Sequence, residues 1–211
     1  MDKAFTGIQE QVNRGIAILR SGGVVAFPTD TVYGLGASSN LPEAIEKVFQ
    51  IKERPHEMAL PLLLADESQV PSVAQSVPHI ARLLISSFLP GALTLVMLKS
   101  SSVSDIITAG GNTVAIRIPA HPIPVALAAG LGIPIVGTSA NTSGKPSPMT
   151  AGDVRSQLGD KVDLIIDGGR CPGGKESTIV DVTGLKPVLL REGAISRAEI
   201  EKVCGNIFSA E

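Results

Sequence analysis

Apolar residues near the start of the chain recur at intervals of three and four positions. This spacing predicts one buried helical face, formed by Ile8, Val12, Ile16 and Leu19. Glycines at residues 22 and 23 are typical of the end of such a helix. An apolar run over residues 24–27 then predicts a short strand, which Pro28 terminates. The polar segment after Pro28 is therefore expected where a strand leaves the core.

Helices and strands alternate along the rest of the chain. A second helix is predicted over residues 40–50, with Pro42 in its first turn. Further strands are predicted over residues 60–65, 93–98, 114–118, 133–136, 162–166 and 177–182. Further helices are predicted over residues 80–88, after Pro122, over residues 150–158 and from Ser196. Thr150 is the predicted N-cap of the third of these helices, and the Asp153 side chain is expected to reach back to that N-cap. Ser196 is predicted to form a capping box with Glu199.

This alternation, without repeats or linkers, predicts a single α/β domain with a twisted mixed sheet flanked by helices. We expect the domain to span residues 1–211, with a core from about residue 8 to about 200 and no additional C-terminal domain. Glycine and proline, 22 and 15 of them, concentrate at the predicted strand ends, where functional loops are expected.

The strand over residues 114–118 makes a specific prediction about one arginine. Val114, Ile116 and Ile118 alternate with Ala115 and Arg117, so the two sets face opposite sides of the sheet. Arg117 is therefore expected to point away from the residues that fix the strand to the core.

Composition narrows the class of protein. The formal net charge is -2 and only 3% of residues are aromatic, which argues against an extended nucleic-acid-binding surface or a base-stacking platform. The N-terminal sequence has no apolar stretch typical of a signal peptide, and the longest apolar run, residues 123–136, is too short and too interrupted to span a membrane. We therefore expect a cytoplasmic protein that does not enter membranes. Cys171 and Cys204 have neither metal-ligand nor redox spacing.

Familiar nucleotide-binding loops are absent from the sequence, but polar clusters follow the predicted strands. The clusters are Thr29, Asp30 and Thr31; Lys52 and Arg54; Arg117; Ser139 and Asn141; Ser177 and Thr178; and Arg191. The cations among them predict an anionic ligand with more than one charged group, because guanidinium groups bind phosphate and carboxylate through paired hydrogen bonds. Neighbouring hydroxyls and the amide are suited to orienting such a ligand.

Each cluster taken alone also has a structural interpretation. Thr29 and Asp30 are common turn residues, and Lys52 and Arg54 could be the solvated end of the second helix, where they would offset its dipole. Ser139 and Asn141 are turn formers as well, and Arg191 could pair with Glu192 on the surface at little energetic value. Only the recurrence of these residues at strand ends favours a shared site.

Together and in this order, the clusters resemble the YrdC family. The matching segments are PTDTVYGLG (28–36), IKERP (51–55), TVAIRIPAHP (113–122), GTSANTSGKPSP (137–148), STIVD (177–181) and LREGAI (190–195). The resemblance implies an α/β fold around a large electropositive cavity. It also implies threonylcarbamoyl-AMP synthase activity, in which ATP, L-threonine and bicarbonate give L-threonylcarbamoyl-AMP and pyrophosphate for N6-threonylcarbamoyladenosine modification of tRNA position 37.

The same resemblance implies roles for individual residues. Lys52 and Arg54 match the catalytic K-x-R pair of the family. The implied threonine-binding residues are Thr31, Arg117, Ser139 and Ser177. The implied ATP-binding residues are Lys52, Arg54, Thr113, Asn141, Arg191 and, through its backbone, Met149. Mg²⁺ is expected to arrive with ATP, without dedicated protein ligands.

Two positions depart from longer members of the family, which commonly have an Asn followed five residues later by a His; here these positions are Met58 and Leu63. A downstream threonylcarbamoyl transferase complex is an expected partner, and tRNA or double-stranded RNA a possible one. Three alternatives stay open: an RNA-binding module without chemistry, a carbamoyl-phosphate-using relative, and a paralogue without synthase activity.

Overall fold

The computed structural model describes residues 3–205 of the chain, with side chains from residue 7 onward. Helices lie on a mixed sheet within one α/β domain, as the alternation of elements predicts. The α-helices of the described residues are α1 (Lys3–Arg20), α2 (Pro42–Lys52), α3 (Val70–Val73), α4 (His79–Phe88), α5 (Asp105–Thr108), α6 (Pro122–Leu131), α7 (Ala151–Leu158) and α8 (Arg197–Cys204). None of these helices is long and apolar enough to cross a membrane.

Nine strands of the described residues form one sheet in the order β7-β1-β2-β6-β3-β5-β4-β8-β9. They are β1 (Val25–Phe27), β2 (Gly34–Ser38), β3 (Leu62–Leu63), β4 (Leu93–Leu98), β5 (Thr113–Arg117), β6 (Ile135–Ser139), β7 (Leu164–Ile165), β8 (Thr178–Asp181) and β9 (Val188–Arg191). Three neighbouring pairs are parallel, namely β1 with β7, β3 with β5 and β4 with β8, and the other pairs are antiparallel.

The two faces of the sheet are covered differently. One face carries the main hydrophobic core, which includes Leu62, Leu95 and Ile116. On the opposite face, α1 and α6 pack over β1 and the start of β6 through a smaller cluster that includes Phe27 and Ile135. This second cover reaches only part of that face, so the surface over β5, β4, β8 and β9 and over the adjoining parts of β2, β6 and β3 stays open.

Several local predictions are confirmed. The periodic segment forms α1, and the turn at Gly22, whose φ is 80°, follows it. Val114, Ile116 and Ile118 lie in the main core, while Arg117 points to the opposite face. The capping boxes of Thr150 with Asp153 and of Ser196 with Glu199 both form.

Other elements differ from the sequence predictions. Strands β2 and β9 and helices α3 and α5 were not predicted, because each is short or rich in small residues. The strand expected over 60–65 is only Leu62–Leu63, and it begins after Pro61 in the interior of the sheet, between β6 and β5. The strand expected over 133–136 is shifted to Ile135–Ser139, so Ser139 belongs to the strand rather than to the loop after it.

Candidate functional site

A cavity of about 650 Å³ lies on the open face of the sheet. Its floor comes from seven adjacent strands, β2, β6, β3, β5, β4, β8 and β9, and its rim from the loops after β1, α2 and β6. Five basic side chains and one acidic side chain line it: Lys52, Arg54, Arg117, Lys145, Arg191 and Glu176. The volume falls within the range of ordinary small-ligand sites.

Lys52 at the end of α2 is almost fully buried, with 2% of its surface exposed. Its ammonium group donates to the Ser139 carbonyl at 2.5 Å, the Asn141 carbonyl at 2.8 Å and the Asn141 side-chain oxygen at 3.1 Å. Burial, and secondarily the charge of Arg54, lowers the pKa of Lys52 to about 8. The helix-end interpretation of Lys52 as a solvated residue is therefore wrong, because its three hydrogens hold the turn that carries Ser139 and Asn141, which form an S-x-N motif.

Asn141 is held from both ends of its amide. Its oxygen accepts from Lys52, and its Nδ2 donates to the Lys145 carbonyl. Ser143 also donates its backbone N–H to the Lys52 carbonyl at 2.8 Å. The K-x-R and S-x-N motifs thus form one packed unit. Lys52 is separated from Ser139 by 87 positions and from Asn141 by 89 positions in the sequence.

Arg54 keeps more of its donors available than Lys52 does. Its Nε donates to the Met58 carbonyl at 3.1 Å and one terminal nitrogen to the Ala59 carbonyl at 2.8 Å. A guanidinium has five N–H donors, so three remain for a ligand. The main cause of the lowered pKa of Arg54 is burial.

Arg117 spans the floor from β5 towards the loop after β1. It donates to the Gly91 carbonyl at 2.9 Å, the Thr31 hydroxyl at 2.9 Å and the Asp30 carboxylate at 2.7 Å. Asp30 also accepts from the Ala120 backbone at 3.1 Å. Burial lowers the pKa of Arg117, and Asp30 opposes that shift. Asp30 therefore has a structural role, as a buried partner of Arg117, and two N–H groups of Arg117 remain for a ligand.

The hydroxyl of Thr31 lies within a hydrogen-bonded group that includes Thr29 and Arg117. Thr29 donates its single hydroxyl hydrogen to the Val32 carbonyl at 2.7 Å, and its oxygen lies 2.9 Å from the Thr31 oxygen. The Thr29 oxygen also accepts from the backbone N–H groups of Thr31 and Val32 at 3.0 and 3.3 Å, so the direction of its contact with the Thr31 hydroxyl is not fixed. Arg117 donates to Thr31, which leaves the Thr31 hydroxyl one hydrogen to donate and one lone pair with which to accept.

Arg191 on β9 lies beside Ser177, on the part of the floor formed by β8 and β9. Its guanidinium donates to the Ser177 carbonyl at 2.9 Å and, more weakly, to the Ser177 hydroxyl at 3.4 Å. It forms an ion pair with Glu176, whose other oxygen accepts from Ser147 at 2.8 Å. The surface pairing of Arg191 with Glu192 is therefore wrong, and the partner is a residue 15 positions earlier.

Eight residues assigned from the sequence converge on this cavity: Thr31, Lys52, Arg54, Arg117, Ser139, Asn141, Ser177 and Arg191. Thr113 and Met149 are not part of its lining. Thr113 begins β5 and is half-buried, on the same side as Arg117 but further along the strand. The Met149 backbone is already bonded, since its N–H donates to Asp153 at 3.0 Å and its carbonyl accepts from Cys171 at 2.9 Å. Contacts of these two residues with ATP stay predictions.

Sequence reasoning did not assign five polar lining residues to the site: Thr94, Thr138, Ser143, Lys145 and Glu176. Thr94 follows the alternation of β4, with Leu93 and Leu95 in the core, so periodicity could have found it. Glu176 and Lys145 carry no such signal, because they lie in irregular loops. Met58 and Leu63 also line the cavity and make that wall apolar.

The described residues contain no cluster of three or more His, Cys, Asp or Glu side chains that could hold a metal ion. Cys171 is buried and Cys204 half-buried, and both are free thiols. Burial raises the pKa of both.

The fold and site define an α/β protein whose partly covered sheet presents a cavity lined by five basic side chains and one acidic side chain. Residues 17–193 match the family model Sua5_yciO_yrdC, described as Telomere recombination, and the chain belongs to this Sua5/YciO/YrdC family.

Curated relatives carry a common name. The chain is 46% identical over 189 residues to a threonylcarbamoyl-AMP synthase of Pyrococcus abyssi. This alignment covers 90% of this chain and 56% of the relative. The chain is 44% identical over 198 residues to the threonylcarbamoyl-AMP synthase of Bacillus subtilis, covering 93% and 57% respectively. The crystal structure of P. abyssi Sua5 complexed with L-threonine superimposes with a TM-score of 0.91 at 43% identity, covering 94% of this chain and 58% of that one. The chain thus spans little more than half the length of these relatives.

Proposed function

We propose that this chain catalyses the synthesis of L-threonylcarbamoyl-AMP from L-threonine, bicarbonate and ATP, with release of pyrophosphate. The observation that carries the proposal is the convergence of Lys52, Arg54, Arg117 and Arg191, from four distant segments, on one cavity. The names of the curated relatives, and of the Sua5 structure that contains L-threonine, support the same activity.

The proposed reaction joins bicarbonate to the threonine amine with loss of water. The resulting N-carboxylate oxygen attacks the α-phosphorus of ATP, and the bond to pyrophosphate breaks. No covalent protein nucleophile is needed. The cavity would act by holding two anions close together and by neutralising charge on the phosphorus and the leaving group. Five cations against one carboxylate in the lining support the positive potential that this role requires.

We assign the amino acid to the Arg117 end of the cavity. The two unused N–H groups of Arg117 suit a carboxylate, and the Thr31 hydroxyl, which keeps one lone pair free, suits the amine or its protonated form. Ser139 and Ser177 complete the proposed threonine site.

ATP is assigned to the other cations. Arg54 and Arg191 have free donors for phosphate oxygens. Lys52 is not expected to bind ATP directly, because its three ammonium hydrogens already bond to Ser139 and Asn141. It would add positive charge and hold Asn141 in place. Thr113 and Met149 stay candidate ATP contacts on the resemblance alone.

Magnesium enters this proposal as part of the Mg–ATP substrate. Among the described residues, Glu176 is the single carboxylate of the lining, and it is already bonded to Arg191 and Ser147. Water and phosphate oxygens are the usual Mg²⁺ ligands in such sites, so no dedicated protein ligand is needed.

The product would serve N6-threonylcarbamoyladenosine formation at tRNA position 37, through a downstream threonylcarbamoyl transferase complex in the cytoplasm. Double-stranded RNA binding is a second candidate function, which rests on the same basic lining. Phosphate-dominated RNA binding is steeply salt-dependent, whereas capture of a small ligand in a cavity is less so.

The decisive test incubates the protein with ATP, bicarbonate and either L-threonine or L-serine, and follows pyrophosphate and the acyl-adenylate by mass spectrometry. We expect a threonylcarbamoyl-adenylate that requires all three substrates. RNA binding with no adenylate would favour the RNA-binding module. An adenylate made only from carbamoyl-phosphate would favour the relative that uses carbamoyl-phosphate. A folded but inactive protein would favour the paralogue without synthase activity.

A further inference from the structure

Thr94 occupies the floor of the cavity between the two ends of the proposed amino-acid site. It lies on β4, is 3% exposed, and faces the cavity because Leu93 and Leu95 point into the main core. Leu95 pairs with Ile116 in the antiparallel β4–β5 ladder, so Thr94 lies beside Arg117. On the other side, β4 runs parallel to β8, where Leu93 pairs with Thr178.

The hydroxyl of Thr94 bonds to the hydroxyl of Ser177. The two oxygens are 2.8 Å apart, and this is the one hydrogen bond of the Thr94 hydroxyl among the described residues. Ser177 also receives a donor from Arg191 at 3.4 Å, and a guanidinium cannot accept. When Thr94 donates, both lone pairs of Ser177 are occupied, and the only hydrogen-bonding capacity left to Ser177 is its own hydrogen.

We infer that Thr94 is a positioning residue for the amino-acid substrate: it donates to Ser177 and so directs the Ser177 hydrogen towards the substrate carboxylate beside Arg117. This inference rests on the proposed function. Together with Arg117, the Ser177 hydroxyl places donors for the substrate carboxylate on one side of the site, while the Thr31 hydroxyl keeps a lone pair for the amine. We therefore expect the amino acid to bind with its carboxylate towards Ser177 and Arg117.

The test is a double-mutant cycle on the affinity for L-threonine, measured by isothermal titration calorimetry with the full chain. Thr94→Val keeps the side-chain shape and removes the hydroxyl, and we expect it to weaken binding about three- to tenfold, the usual range for one neutral hydrogen bond. Thr94→Ser should restore the affinity to within about twofold. In an Ser177→Ala background, Thr94→Val should have less than about a twofold effect, because residues that act through one another are not additive.

Two controls separate positioning from loss of structure. Thr108→Val removes another buried threonine hydroxyl, which donates to the Gly111 carbonyl at 2.9 Å away from the cavity, and should leave threonine affinity unchanged. Thermal unfolding of each variant reports whether the domain stays folded. As a chemical control, L-2-aminobutyrate lacks the threonine hydroxyl but keeps the carboxylate, so Thr94→Val should weaken both ligands by the same factor.

The outcomes are distinct. A Thr94→Val effect that is equal in both backgrounds, or that affects threonine but spares 2-aminobutyrate, overturns the inference. Wild-type turnover is measured separately: absence of adenylate refutes the proposed function, whereas an active wild type with an unchanged Thr94→Val affinity refutes only the role of Thr94.

Discussion

Removal of the Asp30 carboxylate tests how the floor of the cavity is held together. Asp30 and Arg117 form a hydrogen-bonded ion pair at 2.7 Å, and their side chains are 14% and 9% exposed. In Asp30→Ala the Arg117 charge stays buried without its carboxylate, and the Ala120 backbone loses its acceptor. Breaking such a buried pair from one side costs about 3–5 kcal/mol. For a domain of this size, that loss corresponds to a decrease of about 6–20 °C in Tm.

Three further variants test whether the loss of stability comes from the unpaired charge of Arg117. Asp30→Asn keeps an oxygen acceptor for both contacts but removes the charge, so the loss should be only about 1–1.5 kcal/mol. Asp30→Ala combined with Arg117→Met leaves neither charge buried, and should be more stable than Asp30→Ala alone. Lys161→Ala breaks a pair with Glu53 whose side chains are 54% and 64% exposed, and should change stability by less than about 1 kcal/mol.

The assay is equilibrium unfolding in urea, followed by circular dichroism, with m-values compared to ensure that the variants unfold in the same way. The reasoning is refuted if Asp30→Ala lies within about 1 kcal/mol of the wild type, or if adding Arg117→Met destabilises it further.

Three further predictions concern the proposed phosphate site and its support. Arg54→Ala should lower kcat for adenylate formation at least about 100-fold with little change in Tm, since it removes free donors from the cavity; near wild-type pyrophosphate release would rule out its catalytic role. Because the pKa of Lys52 is lowered to about 8, its ammonium deprotonates between pH 7 and 9, and ATP affinity should fall over that range. The variant Lys52→Arg should show no such fall. In the unfolded chain the Lys52 side chain keeps its proton up to about pH 10.4, so this group makes the free energy of unfolding rise with pH between about 8 and 10.4. A Cβ at Gly193 would lie 2.2 Å from the Glu176 carbonyl, so Gly193→Ala should destabilise the domain by about 1–3 kcal/mol in urea unfolding, whereas Gly7→Ala, with no atom within 4 Å, should be neutral or stabilising.

Local patterns along the chain predicted much of the fold correctly. The period of α1, the alternation of β5 and both capping boxes depend on residues within a few positions of each other, which is why sequence reasoning recovers them. The same alternation placed Arg117 on the face away from the core.

Strands that depend on their neighbours were harder to predict. The sequence of β2, GLGAS, has little intrinsic strand propensity, and it is a strand because it pairs with β1 on one side and β6 on the other. Strand β3 has only two residues, yet it lies between β6 and β5 in the interior of the sheet. Neither arrangement can be deduced from residues near in sequence.

The partners of the charged residues were likewise decided by tertiary structure. Patterning indicates which side chains avoid the core, and the resemblance indicated which of them belong to one site. Neither indicated that Arg117 pairs with Asp30, 87 positions away, or that Lys52 holds the S-x-N turn. These contacts arise because the strand order brings distant segments together. A charged side chain that is buried there needs hydrogen-bonding or oppositely charged groups, and the neighbouring strands and loops supply them.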